Sequence, residues 1–138
     1  MEIKKELNKM KQTFVIQESL TDYVGPIFIC GEIDWLLENI NPVVISMTMP
    51  RENFIIQNDI TPNWINQIRD KYNNENNILL ICDMDKISMD RQEILLDMLE
   101  DNQISSEELP ENLKIIIQSD TKCNISTKIR DIVEYYEI

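Results

Sequence analysis

The stretch ILLICDMDKISMDRQEILLDMLEDNQISSEELPENLKIIIQSD, residues 78–120, decides how this chain folds. It opens on the clearest strand in the sequence, Ile78-Leu79-Leu80-Ile81-Cys82, a continuous apolar run. Residues 89–101 (MDRQEILLDMLED) then repeat with helical spacing, which predicts an amphipathic helix with Ile94, Leu95, Met98 and Leu99 inward. A loop ending in Leu109-Pro110 leads to a second apolar strand, Lys114–Ile117. Strands buried along their whole length and separated by helices belong to parallel sheets covered on both faces.

The flanking sequence extends this alternation in both directions. Upstream, Pro26-Ile27-Phe28-Ile29-Cys30 reads as a buried strand. Residues 32–40 (EIDWLLENI) read as a helix through Ile33, Leu36, Leu37 and Ile40, and 43–49 (VVISMTM) as a strand stopped by Pro50. Thr61 and Pro62 fit the N-cap and first position of a third helix, with Trp64, Ile65, Ile68 and Tyr72 on one face. The polar NNENN at 73–77 reads as a loop. Downstream, a short helical turn near 125–131 precedes a last strand around 133–138. Residues 2–12 read as an amphipathic N-terminal helix through Ile3, Leu7, Met10 and Phe14, one that packs on the sheet or serves as a docking arm. The expected fold is a single α/β domain over residues 1–138, three-layered, with a mostly parallel sheet of about five strands.

Composition closes off much chemistry. The chain has no histidine, which excludes His-based acid/base catalysis and His-ligated metals within it. Its two glycines, Gly25 and Gly31, are too few for a glycine-rich phosphate loop. The net charge is −12, although residues 1–11 are locally basic through Lys4, Lys5, Lys9 and Lys11. From Lys11 to Lys71 the only basic residues are Arg51 and Arg69, so no direct nucleic-acid binding is expected. The acidity fits either a solvated surface or one that imitates the charge of DNA. Cys30, Cys82 and Cys123 are odd in number and widely spaced, which argues against a disulfide framework or zinc site and for a reducing, cytoplasmic setting. No signal peptide or membrane span is expected.

Residues 78–120 resemble the segment of AAA+ ATPases that runs from the Walker B strand to the sensor 1 strand. The counterparts are the apolar strand with its acidic end, Ile78–Asp85, then Lys86, then Gln92-Glu93-Ile94-Leu95-Leu96-Asp97-Met98-Leu99-Glu100, and finally Ile115–Asp120. Ser126-Thr127-Lys128-Ile129-Arg130-Asp131 is similar to the Thr-Ile-Arg-Ser-Arg-Cys stretch that follows sensor 1 in clamp-loader members. The resemblance implies a P-loop NTPase/AAA+-like core, and, since the chain ends where the sensor 1 region is finished, one without a lid domain.

The departures from that family govern function. Where a P-loop would follow the strand at 26–30 stands Gly31-Glu32-Ile33-Asp34, with no lysine, no hydroxyl and two carboxylates that repel a triphosphate. Aligned by Lys86, Cys82 takes the place of the metal-binding Asp and Asp83 that of the water-activating Glu. If Asp83 is instead the metal ligand, Met84 replaces the Glu. Ile132 stands at the place of the clamp-loader arginine finger, leaving Arg130 as the nearby guanidinium. The resemblance therefore implies a degenerate nucleotide site at Gly31, Glu32, Cys82 and Asp83, and a module that does not hydrolyse ATP.

Asp83 and Asp85 also form an Asp-x-Asp after a strand, similar to Toprim domains, in which such carboxylates hold Mg²⁺ for phosphodiester chemistry. Cys30 stands nearest the place of that fold's glutamate, with Glu32 two residues later. Trp35, Trp64 and Arg130 are candidate partner contacts, though both tryptophans also sit at core spacing. No cofactor is expected. The expected partner is another protein, such as an AAA+ or replication-type assembly. The alternatives are an acidic inhibitor that mimics nucleic acid, of the phage or mobile-element kind, and a Mg²⁺-dependent phosphodiester enzyme.

Overall fold

The computed structural model describes residues 25–38, 40–73 and 77–138. The amphipathic helix expected at 2–12 lies outside the described residues. The central sheet contains β1 (Ile27–Cys30), β2 (Val43–Ser46), β3 (Ile78–Cys82), β6 (Lys114–Ser119) and β7 (Glu134–Glu137). All of its pairings are parallel and its order is β2-β3-β6-β1-β7. Around it lie α1 (Asp34–Leu37), α2 (Asn63–Asp70), α3 (Met89–Gln92), α4 (Leu96–Asp101) and α5 (Thr127–Ile132). The mostly parallel α/β sheet of about five strands is what the apolar runs predict.

Both faces of the central strands β1, β3 and β6 are buried, which is why their apolar runs carry no polar alternation. On one face Phe28, Ile45, Leu79, Ile81 and Ile117 pack with Trp64, Ile65 and Ile68 of α2, Met98 and Leu99 of α4, and Ile129 of α5. On the other, Ile27, Ile29, Ile78, Leu80 and Ile116 pack with Ile33 and Leu36. The connection from β1 runs past β6 and β3 to the β2 edge and carries α1. The later connections run the opposite way and carry α2 to α5. Right-handed crossovers that reverse direction must also change face, and these do.

Several local expectations are corrected. The helix expected over 32–40 is the single turn α1, with Glu38 as its C-cap. The strand expected to Met49 ends at Ser46, because Met49 N–H bonds back to Ser46 O at 3.2 Å and Thr48 N–H to Ser46 Oγ at 3.1 Å. Pro62 rather than Thr61 is the N-cap of α2. Tyr72 lies beyond the end of α2 and is exposed rather than facing inward.

Asn77, the last residue of the expected loop, precedes β3 as expected and is buried. Its Nδ2 donates to Ile68 O at 2.9 Å and to Asn112 Oδ1 at 3.1 Å, fixing the end of α2 beside the start of β3. The long helix is interrupted by a 3-10 turn at Glu93–Leu95, buries Gln92, and leaves Ile94 only half-buried. Its Ser88 N-cap accepts from Arg91 N–H, and Asn102 ends it in a left-handed conformation.

The loop expected after it holds a hairpin, β4 (Gln103–Ile104) with β5 (Glu107–Glu108). That hairpin turns on Ser105 and Ser106, both at positive φ.

Candidate functional site

In an open parallel sheet, ligands bind beyond the strands' carboxyl ends, where neighbouring connections depart to opposite faces. Here those neighbours are β1 and β6. Directly beyond them stand Gly31 and the end of β6, with the end of β3 one strand further. The topology thus brings Gly31, Glu32, Cys82, Asp83 and Asp85 to the same end of the sheet.

The β1 end is stitched shut. Gly31 N–H donates to Ser119 O at 2.8 Å, and Gly31 O accepts from Gln118 Nε2 at 2.9 Å. Gln118 Nε2 also reaches Asp120 Oδ1 at 2.9 Å. Ile138 N–H bonds to Cys30 O at 2.9 Å, laying Ile138 against Gly31. A Cβ on Gly31 would stand 2.6 Å from Ile138 Cγ1 and 2.7 Å from Ile138 O, and Gly31 has φ +136°. Only glycine fits there without strain. Next in the chain, the Glu32 carboxylate accepts the Asp34 backbone N–H, and Trp35 Nε1 donates to Glu32 O at 2.9 Å. A side-chain anion of the chain itself therefore holds a donor at the start of α1, where a phosphate loop would hold an external one.

The β3 end is an ion-paired knot. Asp83 adopts a left-handed backbone, φ 66° and ψ 28°, a region that Asp enters more readily than most residues. Its Oδ1 bonds Lys86 Nζ at 2.8 Å, and its Oδ2 accepts from Ser46 Oγ of β2. The Lys86 ammonium, with help from the Ser46 hydroxyl, lowers the Asp83 pKa below the usual carboxylate value, while Asp83 raises that of Lys86. Cys82 Sγ lies 3.3 Å from Ile45 O and 3.6 Å from Asp83 Oδ2. Partial burial, followed by the Asp83 charge, raises the thiol pKa, so Cys82 stays protonated near neutral pH.

Asp83 and Asp85 are held by different partners. Asp85 Oδ2 accepts from Thr121 Oγ1 at 2.9 Å, whereas Asp83 is held by Lys86 and Ser46. Among the described residues no group of three or more His, Cys, Asp or Glu is placed to hold a metal ion. The end of the sheet thus offers an ionised carboxylate bound to an ammonium and a protonated thiol. Neither pair supplies a general base poised near neutral pH.

The remaining candidates lie elsewhere. Trp64 is 6% exposed within the core, with Nε1 donating to Asn53 O at 2.8 Å. Trp35 packs at the margin of the α1 face. Arg130 is exposed, its guanidinium 3.8 Å from the centroid of Tyr135, which in turn stacks on Phe28 at 5.4 Å. Burial and the neighbouring Glu137 raise the Tyr135 pKa.

Sequence reasoning missed the parts played by Ser46, Gln118, Ser119 and Ile138. Only the polar ending of the β6 run, Gln118-Ser119, carried a signal for any of them. No protein-family model matches the chain, and no curated protein matches it. No described helix is long and apolar enough to cross a membrane.

Proposed function

We propose that this protein is a non-catalytic, AAA+-like binding module that acts by contacting another protein and does not hydrolyse ATP. One observation carries the reading: at the switch point of the sheet, the donors that a triphosphate would need are bonded to the chain's own oxygens. Gly31 N–H is held by Ser119 O and Asp34 N–H by the Glu32 carboxylate. Lys86, the ammonium at the end of β3, is engaged by Asp83. The order of features along residues 78–120 supports the family likeness, because the strand resembling Walker B and the strand resembling sensor 1 are paired neighbours in the sheet. An AAA+ or replication-type assembly suits as partner, since such domains associate side by side, and a copy without turnover can cap or regulate a ring; that step rests on fold analogy.

The test is thermal unfolding with and without Mg²⁺-ATP. A ligand present at 100 times its Kd stabilises the folded state by about 2.7 kcal/mol, a shift of several degrees. No shift and no turnover are expected. Micromolar binding of Mg²⁺-ATP would sink the reading.

One observation favours a second reading, the acidic nucleic-acid mimic. Asp90, Glu93 and Asp97 are all exposed and follow one another along the α3–α4 rod at spacings of three and four residues, which places them on one face. On that reading, binding to a basic target weakens steeply between 50 and 200 mM salt; a shallow salt dependence excludes it.

A further inference from the structure

Among the described residues, strand β2 forms one border of the sheet and pairs only with β3. Met47 N–H donates to Cys82 O at 2.9 Å, which fixes the alternation along the strand. Val43 and Ile45 turn their backbone groups to β3, as Met47 does its N–H, while Met47 O accepts from Arg91 Nε at 3.1 Å; Val44 and Ser46 turn theirs to the free side. Ser46 O is taken by Met49 N–H. The Val44 N–H, Val44 C=O and Ser46 N–H remain without a partner among the described residues.

The edge strand is short, but Val43–Ser46 contains no charge, proline or bulge to block pairing. The surface beside it mixes exposed apolar side chains with polar ones, Asn53, Asn63 and Gln67 among them. Val44 is 56% and Ile60 70% exposed, and both line a groove of about 480 Å³ that also includes Met49 and Trp64. Glu52 is its one charged lining residue.

We propose that the free edge of β2 receives an extended segment of a partner protein, which adds a sixth strand to the sheet. The inference rests on the reading of the chain as a protein-binding module and supplies the mode of recognition. Main-chain bonds to Val44 and Ser46 set the register, and side chains at alternate positions fall on Val44 or into the groove beside Ile60 and Trp64. Charge selects the occupant. With Glu52 in the groove and −12 on the chain, the segment is one with alternating β-branched residues and flanking Lys or Arg. A second copy of this chain would bring another −12 to the same edge, which opposes self-pairing.

The test pans a displayed library of random dodecapeptides on the full chain and compares the selected peptides on Val44→Pro and Val44→Lys. Proline suits an outward-facing edge position because no ladder bond is lost there, and Val44→Lys serves if the proline variant fails to fold. Selected peptides should carry Lys or Arg around alternating β-branched residues and bind the unaltered chain at least 10-fold more tightly than either variant. They should also slow hydrogen exchange at the Val44 and Ser46 amides by at least 10-fold.

Equal affinity for the variants, protection elsewhere, or failure to select any peptide overturns the proposal. So does a dimer of the unaltered chain that protects those two amides by itself. Peptides bound equally at another surface remove the edge site but leave the protein-binding reading standing, whereas micromolar Mg²⁺-ATP binding removes that reading whatever the edge does.

Discussion

The two ends of interest in this sheet treat hydrogen bonding in opposite ways. At the carboxyl end of β1, backbone donors and acceptors are matched within the chain, through Gly31, Ser119, Gln118 and Glu32. Along the outer side of β2, the Val44 N–H and C=O and the Ser46 N–H have no partner among the described residues, beside exposed Val44 and Ile60. A polar group satisfied internally gains little from a ligand, because binding must first break the bond already made. An edge group facing water gains a partner and buries apolar neighbours in one step. The contrast moves attention from the place where such folds hold ligands to a border of the sheet.

The most damaging way to break this contrast is to push the closed end apart. Gly31→Ala adds a methyl against Ile138 at a backbone angle that favours glycine. It should cost about 2–3 kcal/mol, read as a lower midpoint in urea unfolding. A loss below about 0.5 kcal/mol would mean that Ile138 yields freely and the end is not tightly closed.

Gln118→Leu removes the amide that joins Gly31 O to Asp120 Oδ1. Gln118 is buried, so the expected loss is about 1–2 kcal/mol in the same measurement. An unchanged midpoint would show that water replaces the amide without cost.

Asp83→Asn probes the neighbouring ion pair through pH. Asp83 has a folded-state pKa below its ordinary 3.8. Its stabilisation is therefore complete at neutral pH and is lost as pH falls below 3.8 and through the folded value. The melting temperature of the variant should lie below that of the unaltered chain at pH 6, and the gap should narrow at pH 2. A gap that is the same at both pH values would assign the effect to packing instead of charge.

The smallest effect belongs to the open edge. Val44→Lys should change stability by less than about 0.5 kcal/mol, because Val44 already faces water. A larger loss by chemical denaturation would show that Val44 belongs to the core and that the edge is not free.

The central strands were legible because Ile78–Cys82 and Ile115–Ile117 are apolar without a break, a pattern few other structures need. Helix α2 was legible from its Trp64, Ile65 and Ile68 spacing, but Tyr72 continued that pattern past the point where the helix stops. The β4–β5 hairpin was not legible, since its turn places Ser105 and Ser106 at positive φ where Asn or Gly would have announced it.

The burial of Asn77 is not legible for another reason: its partners Ile68 and Asn112 come together only in the folded chain. At the site, the sequence presents the two carboxylates after Gly31 as charges that repel phosphate. The folded structure gives Glu32 a more specific role, as the acceptor for the Asp34 amide. Nothing in the sequence marked the bond from Ser46 to Asp83, which joins residues far apart in the chain.

The placement of β1 also bears on how the protein is made. Phe28 pairs across to Ile117 on one side and Tyr135 on the other, so both neighbours of β1 are synthesised long after it. A nascent chain that has emerged only as far as Leu113 holds β2 beside β3 but leaves Ile27–Cys30, four apolar residues, without either flanking strand. Such non-local pairing slows folding and leaves unpaired strand edges open to aggregation in the meantime. β1 cannot be flanked on both sides until β7 has left the ribosome, so translation sets the earliest moment at which the sheet can close.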